Sequence, residues 1–274
     1  MPSPDDHNEP PPRPNNRLTG RVAIVAGAGS RSAGIGNGRA AAILLAESGA
    51  SEFGAGRAIA VRTDVTRSSE CRHTVELALE TFGRLDILVN NVGIGGPVGT
   101  AVEVEEDAWR RAMDVNVLGM VLMAKYAVPA MEKNEKHEVS GRGAIVNVAS
   151  IGGLFGGNPI KGAIVNMTRA MAAHHGPSGI RVNCVCPGLL YTPMLYSEGM
   201  SQETRKARRK NSLLQTEGNG WDTGLAVRFL ASDESRWITG TILTVDAGHT
   251  AAPGAGPSGE STLFSTLVAA GAKL

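Results

Sequence analysis

The sequence predicts an α/β domain built on a doubly wound, mostly parallel sheet. Short β-branched runs alternate along the chain with longer segments whose apolar residues recur at helical spacing. The first of these runs passes straight into a glycine-rich stretch that opens an Ala/Leu-rich helix. The composition agrees: 35 glycines and only 4% aromatics suit a fold with many tight strand-to-helix turns. Strands separated by helices in this way connect by right-handed crossovers, which leave a parallel sheet covered on both faces.

In chain order, residues 1 to 16 carry six prolines and no apolar run. That is the composition of a disordered tail, and neither a secretory signal nor an Arg-rich transit peptide. Six strands are expected: Arg21 to Ala26, Arg57 to Arg62, Leu85 to Asn90, Ala144 to Ala149, Ile180 to Val185 and Thr241 to Val245. The helical spacing covers Gly34 to Ser48, Ser68 to Phe82, Glu105 to Met131, Lys161 to His174, Gln202 to Asn211 and Trp221 to Ala231. No Pro/Ser-rich linker and no internal repeat divides this stretch, so residues 17 to 249 form one domain. Residues 250 to 274 open in Ala, Pro, Gly and Ser and make a C-terminal tail.

Lys and Arg total 27 against 26 Asp and Glu, a formal charge of +1, so no net field recruits nucleic acid or an acidic membrane. No run reaches the roughly eighteen apolar residues that a spanning helix needs. The three cysteines are an odd number. Cys184 and Cys186 stand one residue apart on a strand, where both thiols face the same side with no hairpin between them. A reducing, cytoplasmic compartment follows. His174 and His175 have no third ligand at suitable spacing, so no metal is expected. The charge run Arg205, Lys206, Arg208, Arg209 and Lys210 reads as a solvated face. Met113, Met120, Met123 and Met131 read as core or subunit-contact residues.

The glycine-rich loop, AGAGSRSAGIGNG, lies between the first strand and the first helix. In that place Gly27, Gly34 and Gly36 let the backbone turn and approach a pyrophosphate, whose charge is met by free N–H groups at the helix start.

Further segments occur in a consistent order: Asp64-Val65 after a strand, NNVG at 90–93, DVN at 114–116, VNVAS ending at Ser150, and Lys161 opening a helix. RVNCVCPG at 181–188, YTP at 191–193 and WITGTILTVDAG at 237–248 follow. Together with the glycine loop, over residues 18 to 249, they resemble the short-chain dehydrogenase/reductase family. The resemblance implies a single Rossmann-type domain that binds NAD or NADP and moves a hydride between nicotinamide and a carbonyl or alcohol carbon. It implies that Gly27, Gly34, Ile35 and Gly36 hold the pyrophosphate, that Asp64 and Val65 hold the adenine, and that Asn91 and Gly93 lie against the adenosine ribose. Lys125 is carried over as a residue near the cofactor. Lys161 would meet the nicotinamide ribose, and Leu190 and Thr192 the carboxamide. Ser150, Lys161 and Asn116 would be catalytic: Ser150 bonds the substrate oxygen, Lys161 lowers a phenol's pKa, and Asn116 anchors a water. A homodimer or homotetramer built on the helices Glu105 to Met131 and Lys161 to His174 is also implied.

The chain departs from the family pattern twice. The phenol, expected four residues before Lys161, is replaced by Gly157, and Ser150 and Lys161 are about six residues closer than usual. After Ser48-Gly49-Ala50 the second strand and most of its helix are missing, about twenty residues in all. Arg57 to Arg62 would then slide in beside the first strand and bring Asp64 to the ribose. The phenols of Tyr191 and Tyr196 are the remaining candidates for reaching a substrate oxygen. The expected function is an NAD(P)-dependent oxidoreductase with turnover lowered by the lost tyrosine. The alternatives are a non-catalytic dinucleotide-binding protein, and an active reductase whose gene has been read with two segments missing.

Overall fold

In a computed structural model, residues 18–29, 33–50, 58–97, 100–196 and 199–252 are described. Five runs of mostly β-branched and small residues pair in parallel: β1 (Ala23–Ala26), β2 (Ile87–Asn90), β3 (Gly143–Val148), β4 (Ile180–Pro187) and β5 (Ile242–Val245). They lie in chain order, β1-β2-β3-β4-β5, with Val25 beside Val89, Val89 beside Val146, and Val185 beside Leu243.

Successive strand residues face opposite sides, and this alternation divides the core in two. Leu88, Ile145 and Val182 pack with α2 (Ser68–Phe82), α4 (Gly119–Glu132) and α5 (Pro159–His175). Ile87, Val89, Val146, Val148 and Val185 pack with α1 (Asn37–Glu47) and α8 (Gly220–Ala231). The remaining helices are α3 (Glu106–Met113), α6 (Pro193–Tyr196) and α7 (Gln202–Lys210). Met120, Met123 and Met131 are buried, as the reading of α4 as a core helix requires.

Helix starts follow local signals. α8 carries a capping box in which Asn219 and Asp222 each bond the other's backbone, a device worth about 1 kcal/mol. α5 begins with Asn158 as cap and Pro159 as first residue. Proline suits that place because its missing N–H would have no partner there.

The expectation of six strands is corrected. Arg57 lies outside the described residues, and 58–64 carry no strand, with Ala58, Ile59, Ala60 and Arg62 exposed. Among the described residues β1 is paired only with β2. A sixth strand there would need cover on both faces, and the helix that followed the lost strand is missing with it. The winding survives this loss. α1 and α2 still lie on opposite faces of the sheet.

The helix expected over Glu105 to Met131 is also corrected: it is α3, a π-helical turn at Asp114–Leu118, and then α4. Of the two expected tails, 1 to 16 lies outside the described residues, as does 250 to 274 apart from residues 250–252. Thr250 docks on the Asp246 carboxylate through its amide and hydroxyl, at 2.8 and 2.7 Å.

Candidate active site

The carboxyl ends of β1 to β4 converge on two clusters. At the first, β1 runs into Gly27, whose φ of +84° is the left-handed backbone that glycine tolerates. A side chain on Gly38, in the first turn of α1, would overlap the Gly27 carbonyl. The loop and helix therefore meet backbone to backbone. α1 has Gly36 as its N-cap, with no side-chain cap and no acidic residue in its first turn, and Asn37 Oδ1 is buried without a partner. The Asn91 amide donates to the Gly27 carbonyl at 3.0 Å, which ties the end of β2 to the same loop. At the start of α8, which packs on α1, Gly220 meets Ile35 and Gly36. The Tyr196 hydroxyl donates to the Ala33 carbonyl at 3.2 Å and fills the space beside Gly34. Thr192, buried just before α6, is thereby carried toward the glycine loop, some 160 residues away in sequence.

The second cluster is built on the π-turn. Asn116, buried within it, donates to the Ala112 carbonyl at 2.9 Å. Its Oδ1 accepts from the Ile94 amide at 3.2 Å and from Lys161 Nζ at 3.0 Å. A Cβ on Gly93 would stand 2.9 Å from that Oδ1 and 3.1 Å from Lys161 Nζ, so glycine leaves the pair uncovered. Lys161 is the third residue of α5, its amide donating to Asn158 Oδ1 at 3.1 Å. Burial pulls its pKa down to about 8, and the positive end of α5 acts in the same direction. Ser150 lies two residues beyond β3 and caps the 3-10 turn Ile151–Gly153, accepting from the Gly152 amide at 3.2 Å. Beneath lie the thiols of Cys184 and Cys186, 3.8 Å apart and both free and buried. Hydrogen bonding from Cys184 lowers the pKa of Cys186.

The structure thus brings together Gly27, Gly34, Ile35, Gly36 and Asn91 at one cluster, and Gly93, Asn116 and Lys161 at the other. Four expected positions stand apart from both. Lys125 is exposed on α4, its ammonium 5.6 Å from the Tyr126 ring. Asp64 is exposed and bonded within its own turn, where Thr66 holds its carboxyl below the usual range. Val65 presses on Gly119 at the head of α4. Leu190 is buried against Gly218, and its carbonyl accepts from Arg208 at 3.2 Å.

The charge run on α7 is only partly a solvated face. Arg205 pairs with Glu217 and lies 4.0 Å over the Tyr191 ring. Sequence reasoning passed over Asn158, although an Asn-Pro step is a legible cap signal. It also passed over Asn147 and Thr168, which continue a buried hydrogen-bond chain from Asn90 at 3.0 Å per link. Nothing in the sequence pattern pointed to that chain, since each member reads alone as an ordinary strand or helix residue.

Residues 29–250 match the family model described as enoyl-(acyl carrier protein) reductase. The chain is 36% identical over 254 residues to a cis-4-hydroxycyclohexanecarboxylate dehydrogenase of Sinomonas cyclohexanicum, covering 84% of this chain and 97% of that one. Those 254 positions exceed the part of this chain that they cover, so the relative has positions that this chain lacks. It is also 36% identical over 203 residues to a meso-2,3-butanediol dehydrogenase of Serratia marcescens, covering 72% of this chain and 76% of that one. A crystal structure assigned as a short-chain dehydrogenase/reductase from Burkholderia xenovorans superposes with a TM-score of 0.77 at 36% identity, covering 86% of this chain and 98% of that one. With its parallel sheet, its glycine loop at the head of α1 and its Asn-Lys pair at the end of β2, this chain belongs to the short-chain dehydrogenase/reductase family of oxidoreductases.

Proposed function

We infer that the chain interconverts a small carbonyl compound and its alcohol in the cytoplasm, with NAD or NADP as hydride carrier. The observation that carries this reading is the backbone notch where α1 begins. Gly38 meets the Gly27 carbonyl there, and the helix N–H groups have no side-chain cap, an arrangement that suits a pyrophosphate. Gly27, Gly34, Ile35 and Gly36 would hold that group, and Asn91 and Gly93 the adjoining ribose. Lys161 would bond the nicotinamide ribose, and Leu190 and Thr192 would border the carboxamide. Asp64 and Val65 would border the adenine.

The bound nicotinamide supplies or accepts the hydride. Ser150 orients the substrate oxygen, and the Lys161 ammonium, steadied by Asn116, meets the negative charge that this oxygen gains in reduction. Met194, Leu213 and Leu214, exposed around α6 and after α7, suit an uncharged substrate. Trp109, Leu118 and Val121 are exposed on and beside α3 and α4 and fit a subunit contact between identical chains. Among the described residues no helix is long and apolar enough to cross a membrane.

Calorimetric titration with NADH and NADPH tests the reading. Binding is expected. Asn37→Asp, which places a carboxylate at the head of α1, should weaken it by about tenfold or more while leaving the melting temperature unchanged or higher. No heat and no thermal shift at millimolar dinucleotide would remove the cofactor pocket, and this reading with it.

A further inference from the structure

Resting on the function just inferred, we propose that Lys161 is itself the proton donor in carbonyl reduction and the proton acceptor in alcohol oxidation. The chain has three tyrosines; two of the phenols are hydrogen-bonded elsewhere, and the ring of the third is stacked between Arg205 and Tyr196. Tyr126 shares a 2.7 Å hydrogen bond with Ser68, Tyr196 is bonded to the Ala33 carbonyl, and Tyr191 lies under Arg205. Nor does the helix offer a place for one beside the lysine. α5 begins at Pro159, so position 157 falls in the turn before it, where Gly157 donates to the Phe155 carbonyl at 2.6 Å.

Lys161 Nζ lies beside Gly93 and Asn116. Asn116 Oδ1 takes one of its three N–H bonds at 3.0 Å, and Gly93 contributes no side chain to shield the ammonium. The titratable groups that face it are the thiols of Cys184 and Cys186 on β4. Arg169 on α5 bears on Cys186. No carboxylate among the described residues is bonded or ion-paired to Lys161. A half-buried ammonium with no counter-ion releases its proton near neutral pH, the range in which a general acid works best.

The step balances. The carbonyl carbon gains the hydride, the carbonyl π pair moves to oxygen, and an Nζ–H bond breaks as the O–H bond forms. The neutral amine then takes a proton from water, and oxidation runs the same steps in reverse.

Two measurements test the proposal. In the ligand-free chain labelled with ε-13C lysine, the Lys161 resonance, identified by its loss in Lys161→Arg, should titrate near 8; a midpoint above about 10 overturns the proposal. With cyclohexanone and whichever dinucleotide binds, kcat for reduction should fall as pH rises through that midpoint, and kcat for cyclohexanol oxidation should rise. Lys161→Arg keeps the charge but holds its proton too firmly, and should lose at least about a hundredfold in kcat. Lys161→Ala should be partly rescued by added ethylammonium. Three results would each overturn the proposal: Lys161→Arg keeping more than about a tenth of the rate, Tyr196→Phe costing as much as Lys161→Arg, or dinucleotide binding without any turnover. Absence of dinucleotide binding would instead remove the functional reading, and this proposal along with it.

Discussion

The chain is interrupted in two places, and the two interruptions have opposite consequences. Between Ala50 and Val65 a strand and most of a helix are missing, yet both halves of the core close. Leu45, Val89 and Leu230 on one face of the sheet, and Leu88, Ile145 and Val182 on the other, are each at most 1% exposed. The strand beside β1 and its covering helix leave together, taking their own apolar surface with them, and what remains among the described residues is one row of β1 backbone groups without a strand partner. Between Ser150 and Lys161 about six residues are missing, the sheet is untouched, and Val148 and Ile164 remain buried. Here the cost falls on chemistry. The turn after β3 is so short that α5 starts only two residues before the lysine, and no side chain can sit one helical turn below it. The size of a deletion is therefore a poor guide to its effect, whereas its position relative to the reacting atoms is a good one.

The largest expected effect comes from repairing the second interruption. Six residues inserted between Ser150 and Lys161, with Tyr four before the lysine, should raise turnover by about a hundredfold or more on the same panel of carbonyls and alcohols. Gly157→Tyr alone should give no such gain, because its side chain springs from the turn and not from α5. A hundredfold gain from the single substitution would erase the contrast drawn between the two regions.

An intermediate effect should appear in the pH dependence of stability. The folded-state pKa of Lys161 is depressed to about 8 from 10.5, so between those values the unfolded chain binds more protons and stability rises with pH. Lys161→Met lacks this group. The wild-type chain should therefore gain, relative to Lys161→Met, on the order of 2 kcal/mol between pH 8 and 10.5, allowing for solvent screening of a half-buried group. Denaturant unfolding at the two pH values measures it, and parallel curves for the two proteins would contradict the burial of this ammonium.

The smallest effect is expected at the first interruption. Asp64 is exposed and paired only with its own turn, so Asp64→Ala should change NADH affinity by less than about threefold. A tenfold loss would mean that Asp64 reaches the ribose after all and that the strand shift expected from the sequence occurs when dinucleotide binds.

Much of the architecture was legible in the sequence because it rests on local or periodic signals. α2 runs from Ser68 to Phe82 as its apolar spacing predicts, and Gly83, in left-handed backbone, ends it. β2 and β4 lie where β-branched runs stand, and the loop glycines occupy the turn after β1. The order of family segments likewise survived both interruptions, since each segment lies on an element that folds with its own neighbours.

Other features belong to the tertiary structure alone. The stretch 58–64 has the composition of a strand but forms none, because a strand needs a covered second face that no local pattern supplies. Lys125 sits on a helix that reaches the site, yet the π-turn and the packing of α4 on α2 direct it to solvent beside Tyr126. The Asn116–Lys161 pair, 45 residues apart in sequence, depends on a glycine at position 93 and on the late start of α5. A side chain's chemistry is set by its residue type. Its solvation, its partner and therefore its pKa are set by what the folded chain places around it, and at Lys161 that surrounding converts an ordinary surface cation into a group that titrates near neutral pH.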